Sequence, residues 1–328
     1  MWTKGSRRAR ERGAVSWAEG WRARAARAGL VLAWAASALT WAGVARAQEV
    51  ARGVGWFPRT HFFQAPVADP REPQTGAGLI VTDLFDSEAQ ERPPFSFPPW
   101  QDVVPDVQGA VAFSANVPVW GRGWPDGTGG VVVSFQAGVQ ARFRIERPSR
   151  DMLGSDWMVA IPVEIAGPRA SARIRLLHRS AHLGDELAAT TGAMRIEYSH
   201  EALDALIAIP MAGGRVYGGG ALIIRSITET EDVLKSRSRR DSGSIQAGFD
   251  GVWYPWLGGS VGPVVGLDWQ RAERTAWQDE VAVVAGLGGR AAGYEFRLLG
   301  RYYQGPSPLG QFFLTPERYW GVEFVVEL

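Results

Sequence analysis

The chain has no cysteine among its 328 residues and only four histidines. Disulfides and thiol catalysis are therefore excluded. His61, His178, His182 and His200 also lack the spacing of a familiar zinc site. Past residue 47 no apolar run is long enough to make a membrane helix. An excess of basic charge is missing as well. Nine of the 35 Lys and Arg and two of the 34 Asp and Glu lie in residues 1–47, so the remainder holds 26 basic and 32 acidic residues, a net charge of −6. Nucleic-acid partners need a basic footprint to neutralise phosphates, and that class drops out. Export without cysteine suits an envelope protein that does not rely on disulfide staples.

What is present begins with a leader. Arg22, Arg24 and Arg27 precede the uncharged apolar stretch 28–45, and Ala45-Arg-Ala47 offers small residues at the cleavage positions. Residues 1–47 thus read as a signal peptide or an over-long leader, with Gln48 as the mature start. An N-terminal membrane anchor is the competing reading, because about 18 apolar residues just span a bilayer.

Beyond the leader the pattern has period two. Phe135, Ala137, Val139, Ala141, Phe143 and Ile145 share one parity, while Gln136, Gln140, Arg142, Arg144 and Glu146 hold the other. Such alternation puts apolar and polar side chains on opposite faces of a strand. Comparable runs fall near 108–118, 130–146, 157–165, 170–180, 192–199, 216–226, 243–252, 261–270, 280–287, 292–303 and 317–327. These are eleven, and a bacterial single-chain barrel has an even number. We therefore expect an all-β fold, an antiparallel transmembrane β-barrel of about 12 strands, with the further strand near 202–209 or 78–85. A soluble β-sandwich with buried tryptophans shows the same alternation and is the competing fold. The expected organisation is a leader over 1–47, an irregular extension or strap with a possible first strand over 48–105, and the barrel over 106–328.

Turn-forming residues in Gly121-Arg-Gly-Trp-Pro-Asp-Gly127 and Pro255-Trp-Leu-Gly-Gly259 punctuate the runs, and the charged stretch 229–241 reads as a longer loop. Trp120, Trp124, Trp157, Trp253, Trp256, Trp269, Trp277 and Trp320 fall near strand ends, where aromatic girdles form at lipid interfaces. Phe57-Pro-Arg-Thr-His-Phe-Phe63, Ala68-Asp-Pro-Arg-Glu-Pro73 and the Pro-rich 92–105 do not read as regular strands throughout. They suit a periplasmic extension, a plug or a strap.

The segment richest in chemistry is Ser171-Ala-Arg-Ile-Arg-Leu-Leu-His-Arg-Ser-Ala-His-Leu-Gly-Asp-Glu186. Arg173, Arg175 and Arg179 share one parity. If they face the lumen, His178 and Ser180 face lipid or a groove on the outside. A polar pair among lipid-facing positions asks for an explanation.

The chain as a whole, and Ala68–Pro73 and His178–Glu186 in particular, resembles the bacterial family catalogued as domain of unknown function 1207. The resemblance covers roughly residues 55–328 and implies an outer-membrane component of a Gram-negative bacterium, without an assigned activity. Locally, His178-Arg-Ser180 is similar to the His-x-Ser element of outer-membrane phospholipase A and of the outer-membrane lipid A deacylases. By that resemblance His178 is the base and Ser180 the acyl nucleophile. Those families follow Ser with Asn, where this chain has Ala181, and the phospholipase orients its His through an Asn on the next strand, where this chain offers Glu197. Glu197 has the parity of the lumen face, so His182, Asp185 and Glu186 stand as alternatives, either as orienting groups or as ligands for calcium. Two function classes follow: a structural or lipid-associated barrel, with serine-dependent acyl hydrolysis of phospholipid or lipid A as its sharper form, and a porin-like solute channel lined by Arg142, Arg144, Arg173, Arg175, Arg195 and Glu197. Outer-membrane lipids and the barrel-assembly machinery are the expected partners, and a homodimer would complete a lipid-facing site between barrels.

Overall fold

The structure, a computed structural model, describes residues 54–84, 106–146, 151–191, 195–211, 213–226 and 243–327. Residues 1–47, the Pro-rich stretch 92–105 and the charged stretch 229–241 lie outside the described residues. A short strand, β1 (Val54–Trp56), precedes twelve longer ones. In chain order these are β2 (Thr75–Thr82), β3 (Asp106–Gly123), β4 (Gly130–Arg144), β5 (Met152–Ala166), β6 (Ser171–Leu183), β7 (Tyr198–Met211), β8 (Gly214–Ser226), β9 (Gly243–Val252), β10 (Val261–Ala272), β11 (Glu280–Ala291), β12 (Tyr294–Pro306) and β13 (Pro316–Glu327). One helix, α1 (Asp185–Thr191), sits between β6 and β7.

Every strand from β2 to β13 pairs antiparallel with its sequence neighbour, except where the ring closes. There β2 pairs with β13 through Ile80 opposite Gly321, and with β3 through Ile80 opposite Gln108. The result is a closed, all-β, twelve-stranded antiparallel barrel, and β1 adds to the far end of β3 through Trp56 opposite Trp120. Closure leaves no edge among the twelve along the β2–β13 seam, the condition for strands in hydrocarbon.

The period-two pattern resolves into two surfaces. Leu79, Phe113, Phe135, Val159, Ile161, Leu176, Leu203, Ile207, Leu267, Leu298 and Phe324 point outward and are exposed. The opposite parity buries Gln136, Arg142, Glu164, Arg173, Arg175, Asp204, Asp250, Asp268, Arg297 and Arg301 inside. An apolar outside and a polar inside is the pattern of a membrane barrel and the inverse of a soluble sandwich.

Three of the expected runs resolve. The 202–209 run is part of β7 and the 78–85 run corresponds to β2, while the described part of 192–199 enters a strand only at Tyr198. Its backbone is claimed elsewhere. Ile196 N–H donates to Gln311 Oε1 at 3.0 Å, and Ile196 O accepts from Gln311 Nε2 at 2.7 Å, so β7 starts only at Tyr198. Arg195 and Glu197 are consequently exposed ahead of β7 and do not line the lumen; Arg195 pairs with Asp185 of α1.

The two ends differ. Residues 124–129, 167–170, 212–213, 253–260 and 292–293 connect strands at one end, and 83–105, 145–151, 184–197, 227–242, 273–279 and 307–315 at the other. Short turns belong on the periplasmic side of such barrels and long loops on the extracellular side. Ala292 and Gly293 both have positive φ, 52° and 86°, the requirement of a two-residue hairpin turn whose twist matches the strands. In the 124–129 turn, Thr128 N–H and Oγ1–H both donate to Asp126 Oδ1, and these bonds hold the exposed carboxyl below its ordinary range. Trp157, Trp269, Tyr302 and Trp320 point outward within a few residues of the long-loop end, as an aromatic girdle does.

The lumen is occupied by the chain's own N-terminal part. Residues 57–74 pass through it and are tied to walls on opposite sides. Phe62 and Phe63 N–H donate to Glu164 of β5, at 2.7 and 3.1 Å. Val67 N–H donates to Asp250 of β9, and Arg301 of β12 donates to Ala68 O. Glu72 accepts from Arg173 and Arg175 of β6, and Arg71 pairs with Glu280 of β11. Glycines in the wall make room for this plug: a Cβ on Gly266 would lie 3.1 Å from Ala68 Cβ, and one on Gly138 3.0 Å from Pro73 Cβ. From the long-loop end, Ser307, Leu309, Gln311 and Phe313 of the β12–β13 connection are buried over it.

Candidate functional site

β6 carries Arg173, Arg175, Leu177 and Arg179 on its inward parity, where Arg175 meets Glu72, Asp204 and Gln136, and Arg179 donates to Arg71 O. That anchoring fixes the face of the strand. Ile174, Leu176, His178, Ser180 and His182 must then point outward, toward lipid. His178 and Ser180 are half-buried and lie near the long-loop end of β6, level with the aromatic girdle.

The register supplies the partners. His178 lies opposite Val159 of β5 and Glu201 of β7, and Ser180 opposite Trp157 of β5 and Ser199 of β7. His178 Nδ1 is 3.1 Å from Glu201 Oε1, with the two side chains 42% and 33% exposed. This exposure leaves the pair open to the surrounding phase. The flanking outward residues Trp157, Val159, Leu176 and Leu203 are all apolar and exposed. A histidine–carboxylate pair and a serine are thus set into an apolar belt. With Nδ1–H donated to Glu201, Nε2 carries the lone pair and can take a proton from a hydroxyl. Ser180 is two residues along the same face, about 7 Å away between Cα atoms at the usual strand rise.

Other residues considered from sequence fall elsewhere. Glu197 is exposed ahead of β7 and is not the carboxylate that meets His178. His182 is exposed at the end of β6, opposite Ser155. Asp185, 84% exposed, pairs with Arg195, and Glu186 is exposed in the first turn of α1. Among the described residues no three His, Asp or Glu side chains gather where they could hold a metal ion. Glu201 is the residue that sequence reasoning passed over. Its signal lay in parity: on β7 the positions Leu203, Ala205, Ile207 and Ile209 are outward and apolar, and Ser199 and Glu201 share that parity.

The barrel is similar to solved outer-membrane structures. Outer membrane phospholipase A from Escherichia coli aligns at a TM-score of 0.52 and 13% identity, covering 82% of this chain and 94% of that one. The Salmonella typhi outer membrane phospholipase dimer with bound calcium aligns at 0.49 and 12%, covering 82% and 94%. KdgM porin, in complex with disordered oligogalacturonate, aligns at 0.39 and 6%, covering 77% and 99%. None of the curated proteins matches the chain in sequence. At these identities the likeness is one of fold. The family model for protein of unknown function (DUF1207) matches residues 35–326, nearly the whole chain, and the protein therefore belongs to the DUF1207 family.

Proposed function

We propose that this outer-membrane-type barrel is an acyl hydrolase of membrane lipid, working on its lipid-facing wall with Ser180 as nucleophile, His178 as general base and Glu201 as the group that positions His178. The observation that carries the reading is the outward His178–Glu201 contact at 3.1 Å beside Ser180, level with the girdle where lipid ester bonds lie. Ser180 Oγ attacks the ester carbonyl carbon as its proton passes to His178 Nε2. Collapse of the tetrahedral intermediate expels the lysolipid alkoxide, which takes that proton and leaves an acyl-serine. Water, deprotonated by His178, then attacks the acyl-serine, and the fatty acid departs as Ser180 regains its proton. Glu201 holds the imidazole in the required tautomer and stabilises the imidazolium. The barrel shares its fold with an outer membrane phospholipase, which supports a setting for such chemistry.

Calcium favours six to eight oxygen ligands. The carboxylate beside Ser180 is Glu201, already committed to His178, and Asp185 is committed to Arg195. This donor set does not fit a resident calcium ion, and no step is routed through one.

A structural envelope barrel is the second reading, favoured by the lumen packed with residues 57–74. The deciding assay is fatty-acid release from mixed phospholipid and lipopolysaccharide micelles by the refolded chain, with and without calcium, beside a Ser180→Ala control. Release that vanishes in the control supports hydrolysis. Release that persists in the control overturns the assignment of Ser180, and a folded wild type that releases nothing overturns hydrolysis in favour of the structural barrel.

A further inference from the structure

We propose that Arg225 of β8 forms a binding site for the phosphate of a glycerophospholipid headgroup, held beside the Ser180 site; the inference deepens the hydrolase reading and takes its substrate class from it. The argument begins with register. Along β8, Leu222 pairs with outward Leu203, and Ile223 pairs with inward Ala202 and packs on the inward cluster of Met158, Ala160 and Leu177. Regular alternation would send Arg225 inward with Ile223. A bulge between Glu201 and Ala202 of β7 instead leaves Ile224 unpaired and sets Arg225 opposite Glu201. One inserted residue therefore turns a cation from the lumen face to the lipid face, at the level of the candidate site. Bulges recur beside active sites because they re-aim a side chain in this way.

Two further facts separate Arg225 from the arginines that face the lumen. Those are engaged inside, Arg173 and Arg175 by Glu72, Arg301 by Glu323 and Arg179 by Arg71 O. Arg225 is exposed and, among the described residues, has no ion-pair partner; Glu201 across from it is engaged by His178. An unpaired guanidinium facing lipid needs an anion, and a guanidinium fits phosphate oxygens in bidentate fashion. Spacing agrees. Arg225 and His178 both lie opposite Glu201, two inter-strand intervals or about 10 Å apart, and Ser180 is two residues further along β6, which puts it about 12 Å from Arg225 between Cα atoms. The glycerol backbone between ester and phosphate, together with the long arginine stem, bridges that interval.

The experiment is calorimetric titration of the full chain carrying Ser180→Ala, folded in a non-ionic detergent, with dihexanoyl phosphatidate, dihexanoylglycerol and inorganic phosphate. Without Ser180 the ligand is not consumed, so binding is read apart from turnover. We expect phosphatidate to bind at least about tenfold more tightly than dihexanoylglycerol, as one charge-assisted contact allows. Adding Arg225→Gln should abolish that preference, and Arg225→Lys should retain most of it. The proposal is overturned if Arg225→Gln changes phosphatidate affinity less than twofold, or weakens both lipids equally, as a merely structural arginine would. It is equally overturned if inorganic phosphate binds as tightly as phosphatidate, which would make the site one for free anions. If the lipid preference is present but the wild type releases no fatty acid, the hydrolase reading falls and the headgroup site stands.

Discussion

His178 has two ring nitrogens, and the barrel wall decides what each does. Glu201, fixed opposite it on β7, lies 3.1 Å from Nδ1, and in the proposed hydrolase this leaves Nε2 for the ester. Replacing Glu201 with Gln should lower kcat for fatty-acid release by about 100-fold or more with KM little changed, as loss of an orienting carboxylate does. Glu197→Gln should leave both constants at their wild-type values, because Glu197 lies exposed ahead of β7. A pair of kinetic measurements checks this, and equal losses in the two variants would sink the assignment. The outward placement of His178 and Ser180 is legible in the sequence because a polar pair on an apolar parity stands out. Glu201 is not legible there as their partner, since which residue of β7 lies opposite His178 depends on register. A shift of two residues would put Ser199 or Leu203 there instead.

Among the elements, the plug segment 57–74 has the most to answer for. Glu72 meets two arginines, Arg173, which would otherwise be a buried charge without a counterion, and Arg175, which also has Asp204. Breaking a buried ion pair from one side costs about 3–5 kcal/mol. Glu72→Ala should therefore lower the barrel's resistance to guanidinium unfolding, followed by the loss of slow migration on unheated gels. The same variant should raise the conductance of single barrels in planar bilayers, whereas the wild type should show no steady open level; large steady currents through the wild type would contradict a packed lumen. The strands themselves are readable because alternation survives wherever one face is lipid and the other polar. Thr75–Thr82 is harder to place because Gly76 and Gly78 blank its pattern, and the false run at 192–199 arises because Gln311, far along the chain, takes the hydrogen bonds of Ile196. Proline and turn residues in 57–74 mark it as irregular, yet nothing local says that it runs inside.

At the scale of the whole molecule, the exposed apolar outside calls for a hydrocarbon solvent. The chain should stay dispersed only with detergent or lipid, as sedimentation would show, and a soluble monomer in plain buffer would refute the membrane reading. The ring is shut by pairs as distant as Thr82 with Tyr319 and Thr75 with Val326. Contacts so far apart in sequence form late and slowly. The plug is joined directly to the first of these strands. It travels with β2, and when the two ends of the chain meet, Arg173, Arg175 and Arg301 find their partners in the same event. Until then Arg173 lacks its carboxylate, while Arg175 has Asp204 and Arg301 has Glu323 on neighbouring strands. The N-terminal segment is in this sense a cargo of assembly: a barrel that shut without it would enclose Arg173 without its carboxylate, at a cost of about 3–5 kcal/mol, so closure is favoured for chains that carry their own filling.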